Sequence, residues 1–263
     1  MRLAAVQFKP AKGDPAAALD ALALLVEKAA VSGAQLVVCP EMATTGYLFR
    51  DAAAVRPLAE SATGPGFQRL AEIAHRHGCY IVCGYAERAA AEPPGAADPG
   101  APAGRPGEER LFNSARLIGP HGDLLANYRK RLLFPADTTW AAAGELPYPV
   151  LLTPFGSLTA GICMDLNDDR FTAFLQEVQA RVIAFCTNWV DEALDVRPYW
   201  RYRLSGVRSY FVAANTYGCE TEPGHAPVEF CGSSTILGPD GRTLARAPQS
   251  GDAVILAELP PLA

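Results

Sequence analysis

No stretch of this 263-residue chain approaches the roughly 18 to 20 apolar residues that a membrane-spanning helix needs. Its opening, Met1-Arg2-Leu3-Ala4-Ala5-Val6-Gln7-Phe8, reads as a short strand and lacks the long apolar region of an export signal. Runs of like charge are also missing, so no charged interaction tail is expected. Nor is there a basic surplus: 23 lysines and arginines face 28 aspartates and glutamates, a net charge of -5. A nucleic-acid binder shows the opposite balance. These absences point to a soluble cytoplasmic protein that binds neither nucleic acid nor a membrane. Cysteine occurs an odd number of times, seven. Most copies lie in apolar runs such as Val37-Val38-Cys39 and Ala184-Phe185-Cys186, which argues for buried thiols over a disulfide scaffold. Cys219, His225 and Cys231 match no common zinc spacing, so neither metal nor cofactor is expected.

What is present is apolar patterning. With 49% hydrophobic residues the chain can bury a large core. Residues 3–8 read as a buried strand. Asp14-Pro15 supplies a helix cap with proline at the first helical position. Leu19, Leu22, Val26 and Ala29 then follow at helical spacing, and Gly33 can close the helix. Strands fit 36–39 and 80–83, with a helix over 67–77 between them and Gly78 at its end. The Ala-, Pro- and Gly-rich stretch 89–107 reads as a surface loop. Strands 111–118 and 123–129 are joined by Gly119-Pro120-His121-Gly122, a hairpin-like turn. Later strands fit 158–164, 182–186, 211–215, 233–237, 242–245 and 253–256, and helices fit 171–179 and 198–209. The order βαβ, βαβ, hairpins, βαβαβ, hairpins predicts mixed sheets covered by helices in one domain over residues 1–263.

Three strand ends carry chemistry-bearing side chains. Glu41 follows the apolar strand that ends at Cys39-Pro40; at the rim of a sheet, burial would raise its pKa and suit it to proton transfer. Lys130, in Tyr128-Arg129-Lys130-Arg131, could donate hydrogen bonds to an oxyanion. Cys163 closes the apolar strand Leu158-Thr159-Ala160-Gly161-Ile162 ahead of a turn and helix, an arrangement like a nucleophile elbow. A helix N-terminus after it would lower the thiol pKa. Taken singly, each has a bland alternative: an acid capping nearby amides, a solvated basic face, a structural thiol.

Together they resemble one family. Ala5-Val6-Gln7, Pro40-Glu41 with Gly46-Tyr47, Phe112-Asn113-Ser114-Ala115, Tyr128-Arg129-Lys130, Gly161-Ile162-Cys163-Met164-Asp165, Thr187-Asn188-Trp189 and Ala213-Ala214-Asn215 run in the order found in the nitrilase, or carbon-nitrogen hydrolase, superfamily. The segment Cys163-Met164-Asp165-Leu166-Asn167 looks like its N-terminal asparagine amidase branch. The resemblance implies an α+β fold, a four-layer α-β-β-α sandwich with two mixed sheets, commonly paired as a homodimer. It further implies hydrolysis of a small amide through a cysteine thioester, with Glu41 as general base and Lys130 and the Met164 N–H as oxyanion donors. Tyr47, Asn188 and Trp189 flank the triad as candidate pocket residues.

Two departures stand out. Family members usually carry a second glutamate after the lysine; here Asp137 is the only acid available, with Thr138 an alternative occupant of that position. Gly206-Val207 replaces a usual Glu-Asn pair. A non-catalytic binding member of the same fold, a nitrile or carbamoyl-amine hydrolase, and a serine amidase built on Gly232-Ser233-Ser234 are the competing readings.

Overall fold

The computed structural model describes residues 1–89 and 109–261. Nearly all of the expected 89–107 loop therefore lies outside the described residues. In chain order the elements are β1 (Arg2–Gln7), α1 (Pro15–Val31), β2 (Leu36–Val38), α2 (Ala52–Val55), α3 (Pro65–His77), β3 (Tyr80–Ala89), β4 (Arg110–Ile118) and β5 (Leu124–Arg129). They continue with β6 (Val150–Thr153), β7 (Gly156–Ile162), α4 (Asp169–Val178), β8 (Val182–Thr187), α5 (Arg197–Arg203) and β9 (Tyr210–Asn215). The last are β10 (Tyr217–Glu220), β11 (Val228–Cys231), β12 (Thr235–Leu237), β13 (Thr243–Arg246) and β14 (Ala253–Glu258).

The strands form two six-stranded sheets, β14-β1-β2-β3-β4-β5 and β13-β12-β9-β8-β7-β6, plus the β10-β11 pair. Both large sheets are mixed. Read from β14 and from β6, each runs antiparallel, parallel, parallel, antiparallel, antiparallel. Side-chain alternation explains the layering. Leu3 and Ala5 of β1, and Leu36 and Val38 of β2, join Ala160, Ile162 and Val182 in a core shared by the two sheets. Their neighbours Ala4, Val6 and Val37 face the other way, onto Leu22 and Val26 of α1 and Leu70 and Ile73 of α3. On the far side, Trp200 of α5 meets Phe185 and Phe211 edge-on at 6.3 and 5.7 Å. The result is the expected α-β-β-α sandwich. Among the described residues no helix is long and apolar enough to cross a membrane.

The start of α1 follows the sequence reading: the Asp14 carboxylate accepts from the Ala17 N–H at 3.1 Å, with Pro15 leading the helix. Gly78 closes α3 in the left-handed conformation at φ 63°. Other boundaries differ. The helix expected over 198–209 stops at Arg203, because Leu204 and Ser205 turn into Gly206, which holds φ 81°. The strand expected through Met164 ends at Ile162, where Cys163 begins a 3-10 turn, Cys163–Asn167. Strands β6, β10 and β11 were not expected. β6 shows alternation only in a run of apolar residues, with Leu152 91% exposed, and Gly218 interrupts β10.

Gly161 marks how tightly α4 lies on its sheet. A Cβ there would stand 2.4 Å from the ring of Phe171. Gly161→Ala should therefore destabilise the protein by about 1–3 kcal/mol through overpacking, read as a lower midpoint in urea unfolding.

Candidate active site

Glu41, Lys130 and Cys163 come from three different strand ends. Glu41 leaves the sheet just past β2 in a bulge: the Gly84 N–H donates to the Pro40 carbonyl at 3.1 Å, and the Ala43 N–H donates to the Gly84 carbonyl at 2.9 Å. Glu41 and Met42 loop out between those two bonds, and Met42 takes a left-handed φ of 50°. Gly84 permits this approach, since a Cβ on it would lie 2.5 Å from the Glu41 Cα. Lys130 follows β5, its N–H donating to the Asn113 carbonyl at 2.8 Å. Cys163 follows β7 with φ 42°, a strained value for a side-chain-bearing residue. That kink resembles a nucleophile elbow in backbone shape, although the helix beyond it is one 3-10 turn.

Asp165 ties the second and third of these ends together. Its buried carboxylate accepts from the Ile162 N–H at 3.0 Å, the Tyr128 hydroxyl at 2.7 Å, and the Arg131 and Leu132 N–H groups at 3.1 Å each. The peptide after Lys130 is thus held to the turn that carries Cys163.

The charged groups meet in full burial. The Lys130 ammonium donates to Glu41 Oε1 at 2.7 Å and to Asp137 Oδ2 at 2.6 Å, and all three side chains are 0% exposed. The Asn113 amide donates to the same pair, to Glu41 Oε1 at 2.7 Å and Asp137 Oδ1 at 3.2 Å. Backbone N–H groups complete the shell: Asn188 to Glu41 Oε2 at 2.9 Å and Phe134 to Asp137 Oδ2 at 3.0 Å. Asp137 is the second acid in contact with Lys130, while Thr138 is exposed and donates to the Pro135 carbonyl.

Electrostatics follow from that burial. Desolvation pushes the Glu41 carboxyl above the ordinary glutamate value, Asp137 adds to the rise, and Lys130 and Asn113 oppose it. Burial alone would discharge Lys130, yet Asp137 and Glu41 overrule it and keep the ammonium protonated above the usual lysine range. Cys163 runs against the sequence expectation. Burial and the Glu41 charge push its thiol up, with Lys130 and the Asn188 N–H only partly offsetting them.

Cys163 opens onto a cavity of about 80 Å³ lined by Tyr47, Phe134, Met164, Asn167, Asn188, Trp189, Val190 and Glu192. Of the residues singled out in the sequence, Met164, Tyr47, Asn188 and Trp189 line it, while Glu41, Lys130 and Asp137 lie buried behind it. Asn167, Trp189, Val190 and Glu192 also line an adjoining groove of about 410 Å³ with Leu194, Asp195, Val196 and Tyr199. Asn113, Phe134, Asn167 and Glu192 carry no role that the sequence alone reveals; of the four, only Asn113 and Asn167 lie inside family-like motifs. Ser234, of the serine-amidase reading, is spent on the backbone: its hydroxyl accepts from the Asn215 N–H at 2.9 Å.

Known proteins resemble this chain in sequence and architecture. The carbon-nitrogen hydrolase family model matches residues 2–262. The chain is 26% identical to the protein N-terminal amidase of Schizosaccharomyces pombe, over 90% of this chain and 91% of that one. It is 31% identical to a Pseudomonas protegens protein described as the hydrolase in the pqqF 5' region, over 94% and 79%. The NitN amidase of Nesterenkonia sp. AN1 superposes with a TM-score of 0.79 at 25% identity, over 99% of this chain and 93% of that one. In another structure of a Nesterenkonia sp. AN1 amidase, 24% identical with a TM-score of 0.79 over the same shares, acrylamide has added to the active-site cysteine. This chain belongs to the carbon-nitrogen hydrolase family. It is an enzyme of that family, and the relatives it resembles include proteins named amidase and nitrilase.

The bulge over Gly84 offers a test. Gly84→Ala should move Glu41 by about 1 Å and lower kcat by about a hundredfold, while the protein still unfolds cooperatively. Steady-state kinetics beside thermal unfolding would separate the two effects.

Proposed function

We propose that the protein hydrolyses a small carboxamide through a Cys163 thioester. The observation that carries this reading is a thiol on a kinked strand end, facing a cavity, in front of a buried Glu41–Lys130–Asp137 charge set. In the proposed cycle Glu41, ionised, takes the thiol proton as the sulfur attacks the amide carbon. Two of the three ammonium hydrogens of Lys130 serve carboxylates, leaving a third for the developing oxyanion beside the Met164 N–H. Protonated Glu41 then gives its proton to the departing amine as the C–N bond breaks, so that an unsubstituted amide releases ammonia. The thioester remains. Glu41 next removes a proton from water, whose oxygen attacks the thioester; the proton returns to sulfur as the acid leaves. Asp137 holds Lys130 in place and charged throughout.

Size and charge narrow the substrate. A space of about 80 Å³ admits a carboxamide on a short arm, and the rest of a larger substrate would lie in the adjoining groove. At that groove Asp195 is paired with Arg197, whereas Glu192 has no ion-pair partner among the described residues and adds a negative charge to the rim. An amide with a nearby ammonium, such as an asparagine at a peptide N-terminus, suits this rim better than one carrying a carboxylate. The similarity to a protein N-terminal amidase points the same way.

Ammonia release from a panel of aliphatic amides, N-terminal asparagine peptides and ω-amides of dicarboxylic acids tests the reading. Wild type should turn over members of the panel and Cys163→Ala none, with an acyl-enzyme mass trapped on wild type alone; equal inertness of the two would sink it. Because Glu41 must be ionised and sits above the 4.5 of an ordinary glutamate, activity should fall as pH drops through a midpoint higher than that value. Glu192→Gln should shrink the preference for ammonium-bearing over carboxylate-bearing amides by up to about fivefold, less at high salt.

A further inference from the structure

Two carboxylates share a single ammonium in this site, and the remaining donor between them is neutral. Asn113 lies on β4, fully buried, outside the cavity lining. Its amide nitrogen reaches Glu41 Oε1 at 2.7 Å and Asp137 Oδ1 at 3.2 Å, while its own carbonyl oxygen Oδ1 is buried with no hydrogen-bond partner. Reversing the amide would set that oxygen against two carboxylate oxygens, so the orientation is fixed by charge. An orphaned buried acceptor costs stability, and a position chosen for packing alone would favour an apolar side chain of this size. The backbone of the same residue also holds Lys130 through the Lys130 N–H at 2.8 Å.

We propose that Asn113 is a positioning residue for amide hydrolysis: it braces Glu41 and Asp137 around Lys130 and keeps Glu41 an ionised yet still basic carboxylate. This rests on the role given to Glu41 above. The charged and titratable groups that face Glu41 are Lys130, Asp137, Cys163, Tyr47 and Cys186, with the Asn188 N–H on its other oxygen. A second cation in place of Asn113 would bind the carboxylate too firmly for it to take a proton. A hydrophobe would leave Asp137 repelling Glu41 with Lys130 alone between them. A neutral donor lies between these limits. Asn113 meets no substrate, so its loss acts through the base and not through binding.

The experiment compares wild type, Asn113→Asp and Asn113→Ser on the simplest amide that wild type turns over, following ammonia release across about pH 4 to 9, a range that brackets ordinary glutamate and histidine titration. Asn113→Asp keeps the shape and replaces the donor by an acid. It should move the acid limb of kcat/KM upward by about one unit or more and lower kcat roughly ten- to a hundredfold, the worth of a hydrogen bond to a charged group. KM should stay within about twofold, as expected when a transition-state interaction is lost without uniform binding. Asn113→Ser, smaller but still a donor, should show the same shifts in weaker form. An acid limb left where wild type has it, a loss carried by KM, or failure of both variants to fold would overturn the proposal, the last by making Asn113 purely architectural. Cys163→Ala separates the two inferences. If wild type is as inert as that variant, the amidase mechanism fails and this proposal with it; an active wild type with unmoved limbs removes only the role of Asn113.

Discussion

Everything at this site depends on one ammonium placed between two carboxylates where water does not reach. Removing Lys130, Glu41 and Asp137 from water costs several kcal/mol for each ion, and their mutual attraction recovers it only with near-ideal geometry and further hydrogen bonds to the carboxylates. The structure meets those terms with contacts of 2.6 and 2.7 Å from Lys130 and with N–H donors from Asn113, Asn188 and Phe134. Hydrocarbon of equal volume would serve stability as well or better. A buried set of this kind is a constraint on the fold, and deleting any one member would strand the others.

The scaffold supplies that geometry through strand ends. Both large sheets carry the same sequence of parallel and antiparallel pairings, so the central strands β2 and β8 are counterparts. Glu41 lies three residues past the end of β2, and the residue directly past β8 is Asn188, whose N–H holds Glu41. The link between sheets is therefore made by the buried Glu41 carboxylate as well as by apolar packing. Asp165 adds a covalently short but spatially wide clamp, joining the Cys163 turn to the backbone after Lys130.

Much of this was legible in the linear order of residues. Alternation in β1 and β2, the Asp14-Pro15 cap and Gly78 are local signals, and local physics sets them. Glu41, Lys130 and Cys163 stand out in the sequence because each follows a strand, apolar before Glu41 and Cys163, and each sits in a motif. What escaped notice depends on tertiary contact. Asn113 was visible only as a letter in Phe112-Asn113-Ser114-Ala115, since its role exists only when β4 brings it to two acids from distant loops. Asp137 stayed ambiguous with Thr138 until a 3-10 turn aimed it inward. The Cys163 thiol was expected to be lowered by a helix N-terminus; a single 3-10 turn, burial and the facing Glu41 reverse the direction. Pairing partners, more than local pattern, define short strands such as β6 and β10.

That reversal shapes the proposed chemistry. A free thiolate at Cys163 would add a third negative charge to a pocket that already holds two carboxylates against one ammonium. It is therefore disfavoured at rest, and the thiol stays protonated. Negative charge on sulfur becomes acceptable only as it passes to carbon and on to an oxygen that Lys130 can reach, while the proton arrives on Glu41 and removes one of the original charges. Deprotonation and attack are thus coupled by the count of charges in the cavity. A carboxylate raised above its ordinary value is the better acceptor for that proton, and the burial that raises the thiol also raises the base.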